Sequence, residues 1–160
     1  MAKFERIPFD PGAWEKTLDH FPDRTIYQSS ACLCFLAESQ KDEPVPAVLE
    51  EDSETLGYFT GVIVKKFGLK ILGSPFRGWT CPYMGFNLAP SVPRRVAVEA
   101  ISDLAFKTLR YAHLEIVDPY ITTADIAGLG FKSEINATVV VDLTPAEEAI
   151  LANMTSDEPA

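Results

Sequence analysis

Residues 56–72 read LGYFTGVIVKKFGLKIL. From Leu56 to Lys65 the run is dense in β-branched and aromatic side chains, which fit a pleated surface, and it predicts the principal strand of the protein. Phe67-Gly68 is a turn, and Leu69 to Leu72 predicts the next strand. On the upstream side, Ala47 to Glu50 predicts a strand separated from the principal one by the acidic turn Glu51 to Glu54. Lys41 to Pro46 reads as a polar, proline-bearing break. Three successive strands thus precede the segment that follows Leu72.

The strand Leu69 to Leu72 delivers the chain into Leu72 to Phe86, LGSPFRGWTCPYMGF, with three Gly, two Pro and four aromatic residues. Glycine opens backbone conformations closed to other residues and proline fixes them, so this segment is neither helix nor inner strand. Its aromatic content sets it apart from disordered segments. Two readings stay open: the wall of a binding cleft carrying the single cation Arg77, or a lid packed over the core.

Outward from this centre, Phe4 to Phe9 predicts a short first strand, and Asp10-Pro11 a helix start carrying Trp14, Leu18 and Phe21 at helical spacing. Trp14 is expected as a core anchor. Thr25 to Gln28 reads as a brief extended piece, and Ser29-Ser30 as the cap of a helix over Ala31 to Gln40 with Cys32, Phe35 and Leu36 on one face. Beyond the loop, Ser91 is expected to cap the longest helix, with Pro93 in its first turn. An apolar stripe runs along it from Val92 to Ala112. Arg94, Arg95, Glu99, Asp103, Lys107 and Arg110 lie outside that stripe and read as a solvated face. Leu114 to Val117 predicts a buried strand, Ile121 to Ala127 a short helix stopped by Gly128 and Gly130, and Ile135 to Leu143 another strand. Thr144-Pro145-Ala146-Glu147 opens a last helix running to about Met154. The elements order as β-α-α-β-β-β-loop-α-β-α-β-α, a mixed sheet flanked by helices in one α/β domain over residues 1–154, with 155–160 as a tail.

The net charge of −9 argues against a standing nucleic-acid footprint, because phosphate binding needs clustered Lys and Arg and the 14 here are scattered. No apolar run reaches the length of a membrane span. Of the three cysteines, Cys32 and Cys34 are too close for an ordinary bridge, and the opening MAKFERIPFDPGAW is no secretory leader, so a cytoplasmic home is expected. Neither a P-loop lysine motif nor a Rossmann glycine fingerprint is present. His20 and His113 sit at element boundaries with no Cys or Asp at ligand spacing, so no metal is assigned. Cys81 lies in the aromatic loop without a His in sequence reach.

Taken in order, Trp14 in an early helix, TIYQSS at 25–30, the paired strands, GSPFRGWTCPYMGF at 73–86, GLGF at 128–131, and VVVDLTPAEEAILANM at 139–154 resemble the first, N-terminal half of the Fem-type acyltransferases of the GNAT superfamily. The resemblance covers about residues 3–154. It implies a GNAT-like fold that is one half of a two-half protein, with the acceptor on this half and the acyl donor served chiefly by the other. By the same analogy Tyr27, Gln28, Arg77, Thr80, Tyr83 and Met84 would line the acceptor side, Arg77 holding a phosphate or carboxylate and Thr80 and Tyr83 hydrogen-bonding a sugar or peptide. The implied activity is N-acyl or aminoacyl transfer to an amine or hydroxyl, on a small-molecule or peptidoglycan-type saccharide acceptor. Catalysis would need a second GNAT half in cis or trans, or a homodimer, and the chain alone is expected to be inactive. The Gln/Arg-x-x-Gly-x-Gly/Ala pyrophosphate run of GNAT proteins is absent, Ser91-Val92-Pro93-Arg94-Arg95 standing before the long helix instead. No cofactor is therefore assigned to this half; acyl-CoA or aminoacyl-tRNA would act as donor through the second. No catalytic residue is singled out. The alternative is a non-catalytic ligand-binding or protein-interaction module that keeps the fold.

Overall fold

Strand β3, Glu54–Lys66, is the spine of the molecule. Its central run is apolar on successive residues, not alternate ones, because helices cover both faces of the sheet it sits in. In a computed structural model describing residues 1–135, 137 and 142–154, β3 pairs antiparallel with β2 (Glu43–Glu51) on one side and with β4 (Leu69–Ser74) on the other. Strand β1 (Lys3–Arg6) closes one end against β2. Strand β6 (His113–Ile116) lies parallel to β4 at the other end, giving the mixed order β1-β2-β3-β4-β6.

Phe59 and Ile63, with Val45, Ala47 and Leu49 of β2, point to one face, where they meet Ala97, Ile101 and Leu104. Val62 points to the other face, against Trp14, Leu18, Leu33 and Leu36. Helices α1 (Pro11–Leu18) and α2 (Ser30–Gln40) therefore cover one side, and α3 (Arg94–Ser102) the other. The caps of the first two helices are the expected ones. Asp10 accepts from the Ala13 amide at 2.7 Å, and Ser29 from the Cys32 amide at 3.2 Å.

Several boundaries differ from expectation for identifiable reasons. Strand β2 begins at Glu43 and runs through Pro44 and Pro46, which the sequence marks as a break. Strand β1 reaches only to Ala47, opposite Arg6, and beyond it Ile7 donates to the Pro46 carbonyl. Both prolines occupy alternate positions on the side facing away from β3, where no N–H is demanded. Thr25 to Gln28 is not extended: Ile26–Gln28 is a 3₁₀ turn closed by the Gln28 side chain, which accepts from the Thr25 amide at 2.9 Å. On α2 the inward residues are Leu33 and Leu36, while Phe35 is exposed.

Pro93, not Ser91, stands at the N-cap of α3, and the helix widens into a π turn over Asp103–Thr108, with Leu109 donating to the Leu104 carbonyl. The short helix α4 covers only Thr123–Ile126, and α5 spans Glu147–Met154. One strand escaped the sequence reading altogether: β5, Phe86–Leu88, three fully covered residues paired with Tyr58 and its neighbours on β3. The strand expected over Ile135 to Leu143 lies largely outside the described residues, and the tail at 155–160 wholly so.

Candidate functional site

The aromatic loop is an excursion between two strands on the same side of β3. Strand β4 pairs with Val62 to Lys66 and β5 with Gly57 to Phe59, so both ends of the loop return to one edge of one strand. Ser74 splices the gap. Its hydroxyl donates to the Thr60 carbonyl and accepts from the Gly85 amide at 2.9 Å, while Thr60 donates to the Gly85 carbonyl at 3.1 Å. Backbone bonds from Val117 to the Ser74 carbonyl and from Met84 to the Val117 carbonyl tie both ends to the chain after β6. Phe76, Cys81 and Met84 then sink into the core beneath α1 and α2, with Trp79 tilted against Phe76 at 5.1 Å.

Four of the six residues named from the resemblance come together here. Gln28 is 1% exposed; its amide donates to the Met84 carbonyl at 2.5 Å and accepts from Asn87 at 3.2 Å. Its own carbonyl receives the Trp14 indole N–H at 2.8 Å, which makes Trp14 the anchor expected of it. Met84 is equally buried. Tyr27 and Tyr83, both half-buried, meet edge to face at 5.5 Å. Gln28 and Met84 are thus the support and the two tyrosines the surface. Arg77 and Thr80 stand apart from this group and are exposed. The Arg77 amide donates to Glu115 at 2.6 Å and its guanidinium pairs with Glu134 in solvent.

A second cluster was not legible in the sequence. Arg94, read there as part of a solvated helix face, is 15% exposed and turns inward at the start of α3. It donates to Asp118 at 2.8 Å and to the Phe86 carbonyl at 3.0 Å, and reaches Asp23 at 3.4 Å. The Tyr120 ring lies 4.8 Å from the guanidinium. Asp118, whose side chain is 1% exposed, also accepts from the amides of Phe86 and Tyr120 at 2.9 and 2.8 Å. Burial raises its carboxyl above the usual range, and Arg94 and the amides hold that rise back. The only local hint was Asp118-Pro119 as a chain break, and nothing in sequence pairs it with a residue 24 positions earlier.

Beside this cluster a cleft of about 520 Å³ opens, lined among others by His20, Phe21, Asp23, Leu88, Arg94 and Tyr120. A smaller one of about 350 Å³ shares His20 and Phe21 and adds Lys16, Thr17, Thr55 and Tyr58. His20 Nδ1 lies 2.9 Å from the Lys16 carbonyl. A carbonyl can only accept, so Nδ1 is the donor in this contact. None of the six residues named from the resemblance lines either cleft.

One further contact joins the loop to α2. Cys32 Sγ and Cys81 Sγ are 3.5 Å apart. Burial first, and then the neighbouring thiol, pushes Cys32 up to about 12, so it stands protonated at neutral pH.

Among the described residues no three His, Cys, Asp or Glu side chains converge as a metal cradle, and no helix is long and apolar enough to cross a membrane. No family model matches the chain, and neither a curated protein nor a solved structure matches it. Fold and site together define a mixed α/β domain with an aromatic loop spliced into its sheet.

Proposed function

We propose that the chain is the acceptor-binding half of an acyltransferase of the Fem type, with a GNAT-like fold, working with a second GNAT half in cis or trans. The observation that carries this reading is the tyrosine wall. An aromatic loop pinned at both ends presents Tyr83 against Tyr27, just ahead of α2, with Gln28 and Met84 locked behind them. The element order β1-α1-α2-β2-β3-β4-loop-β5-α3-β6-α4 keeps the helix, paired strands and aromatic loop in the sequence order of the motifs that carry the resemblance. In this scheme the two phenolic hydroxyls, with Thr80 and Arg77 on the exposed part of the same loop, orient a sugar or peptide whose amine or hydroxyl attacks the activated carbonyl of the donor. The attacking group must lose its proton and the oxyanion must be stabilised. Both duties, together with the acyl-CoA or aminoacyl-tRNA donor, fall to the second half.

Calorimetric titration with a muropeptide and with a free amino sugar tests the proposal. Tyr83→Ala is expected to weaken acceptor binding about tenfold, close to 1.4 kcal/mol, and Arg77→Ala to weaken only acidic acceptors. Failure of every amine- or hydroxyl-bearing acceptor to bind saturably, or unchanged affinity in Tyr83→Ala, overturns it.

A different observation favours the alternative of a non-catalytic binding module. The cleft beside Arg94 is mostly apolar, and two carboxylates already neutralise its cation. Such a cleft takes an apolar side chain or ring rather than an anion. Ala89→Arg separates the two readings, since this half-buried residue lines the cleft and lies apart from the tyrosine wall.

A further inference from the structure

Cys32 belongs to the first turn of α2 and Cys81 to the aromatic loop, 49 positions apart in sequence, yet their sulfurs sit at 3.5 Å. A disulfide needs about 2.05 Å, so closure asks the sulfurs to approach by about 1.5 Å. Cys34 lies two residues beyond Cys32 on the helix, where alternate residues face different directions. Neither Cys32 nor Cys81 ligates anything among the described residues, and the acyl-transfer reading uses neither.

We propose that Cys32 and Cys81 are a modification site, a dithiol that a hydroperoxide closes to a disulfide. Cys32 is half-buried and Cys81 fully covered, so Cys32 meets the oxidant and Cys81 resolves the product. In the first step the Cys32 sulfur gives an electron pair to the terminal peroxide oxygen. The O–O bond breaks, an alcohol leaves (water, for hydrogen peroxide), and Cys32 becomes a sulfenic acid. In the second, the Cys81 sulfur attacks the sulfenic sulfur, the S–O bond breaks and water leaves. Two thiols and one hydroperoxide thus give one disulfide, one alcohol and one water; the peroxide gains two electrons and each sulfur loses one. Because the thiolate is the reacting species and Cys32 is held protonated, closure is slow. The bridge ties the start of α2, four residues after Gln28, to the loop that carries Tyr83. Oxidation therefore clamps both sides of the tyrosine wall. The inference does not depend on what that wall binds, and a failure of acceptor binding leaves it standing.

The test is incubation of the full chain with excess hydrogen peroxide for hours, alkylation of remaining thiols, and peptide mapping without reductant. A Cys32–Cys81 cross-linked peptide with alkylated Cys34 is expected. Thermal unfolding should shift upward by about 10 °C, the effect of closing a loop of this length, and dithiothreitol should reverse it. Cys34→Ser should behave identically; Cys32→Ser should show neither bridge nor shift. A bridge involving Cys34, an intermolecular bridge, a sulfinic acid at Cys32 without a bridge, or thiols unconsumed after hours overturns the proposal.

Discussion

Gly85 shows how closely single residues are specified at the loop's return. Its φ is +67°, a region that L side chains enter at a cost, and a Cβ there would overlap the Asp118 carboxylate. Asp118 cannot yield, because it is fastened to Arg94 and to the Phe86 and Tyr120 amides. Gly85→Ala should therefore destabilise the protein by about 2–4 kcal/mol in urea titration, strain and collision together. Shortening Asp118 to Ala removes the carboxylate part of the collision, the Oδ2 and Cγ contacts, and leaves the backbone strain and the 2.7 Å approach of the Asp118 Cβ. Asp118→Ala alone should cost about 3–5 kcal/mol by leaving Arg94 short of its main partner. The double variant should then cost clearly less than the sum of the two. Additive costs would show that the carboxylate is not what Gly85 accommodates.

At the scale of elements, the helix starts separate those that local chemistry decides from those that it does not. Asp10 receives the Ala13 amide and Pro11 occupies the first turn, so Asp10→Ala should cost about 1 kcal/mol in the same titration. Ser91 reads equally well as a cap in sequence, yet Pro93 holds that position on α3 and no side chain caps the helix. Ser91→Ala should stay within about 0.5 kcal/mol of the parent protein. The same contrast runs through the strands. The long run of β3 announces itself, because thirteen residues of strand carry enough β-branched and aromatic side chains to be read directly. The three residues of β5 carry no such signal; Phe86 to Leu88 is a strand only because Gly57 to Phe59 is already in place beside it.

For the whole molecule, the carboxylates set opposing slopes of stability against pH. Ser30 donates to Glu15 through both its amide and its hydroxyl, at 2.9 and 2.7 Å, and holds that carboxyl below its usual range. Arg6 does the same for Glu43, and Thr122 for Asp125. A carboxyl lowered in the folded state contributes stability that is complete above its unfolded value and is lost as pH falls through the folded one. Asp118 is raised by burial and runs the other way, its contribution falling as pH rises through the acidic range. Unfolding followed in urea from pH 6 to pH 3 should show stability declining toward acid. Glu15→Gln should flatten that decline, and an unchanged slope would mean the Ser30 bonds persist in the unfolded chain.

How far the sequence by itself determined this protein follows from the range of its signals. The long strand β3, the helices α1 and α2, the turn at Phe67-Gly68, the Asp10 and Ser29 caps and the aromatic character of residues 72–86 were legible, because each rests on residues within a few positions of one another. The inward turn of Arg94 toward Asp118, the splice made by Ser74, the burial of Gln28 under the loop and the approach of Cys32 to Cys81 were decided only by tertiary structure. Each joins residues 11 to 56 positions apart. A side chain's periodicity reports which way it leaves its own element; it carries no information about the partner that folding brings to meet it.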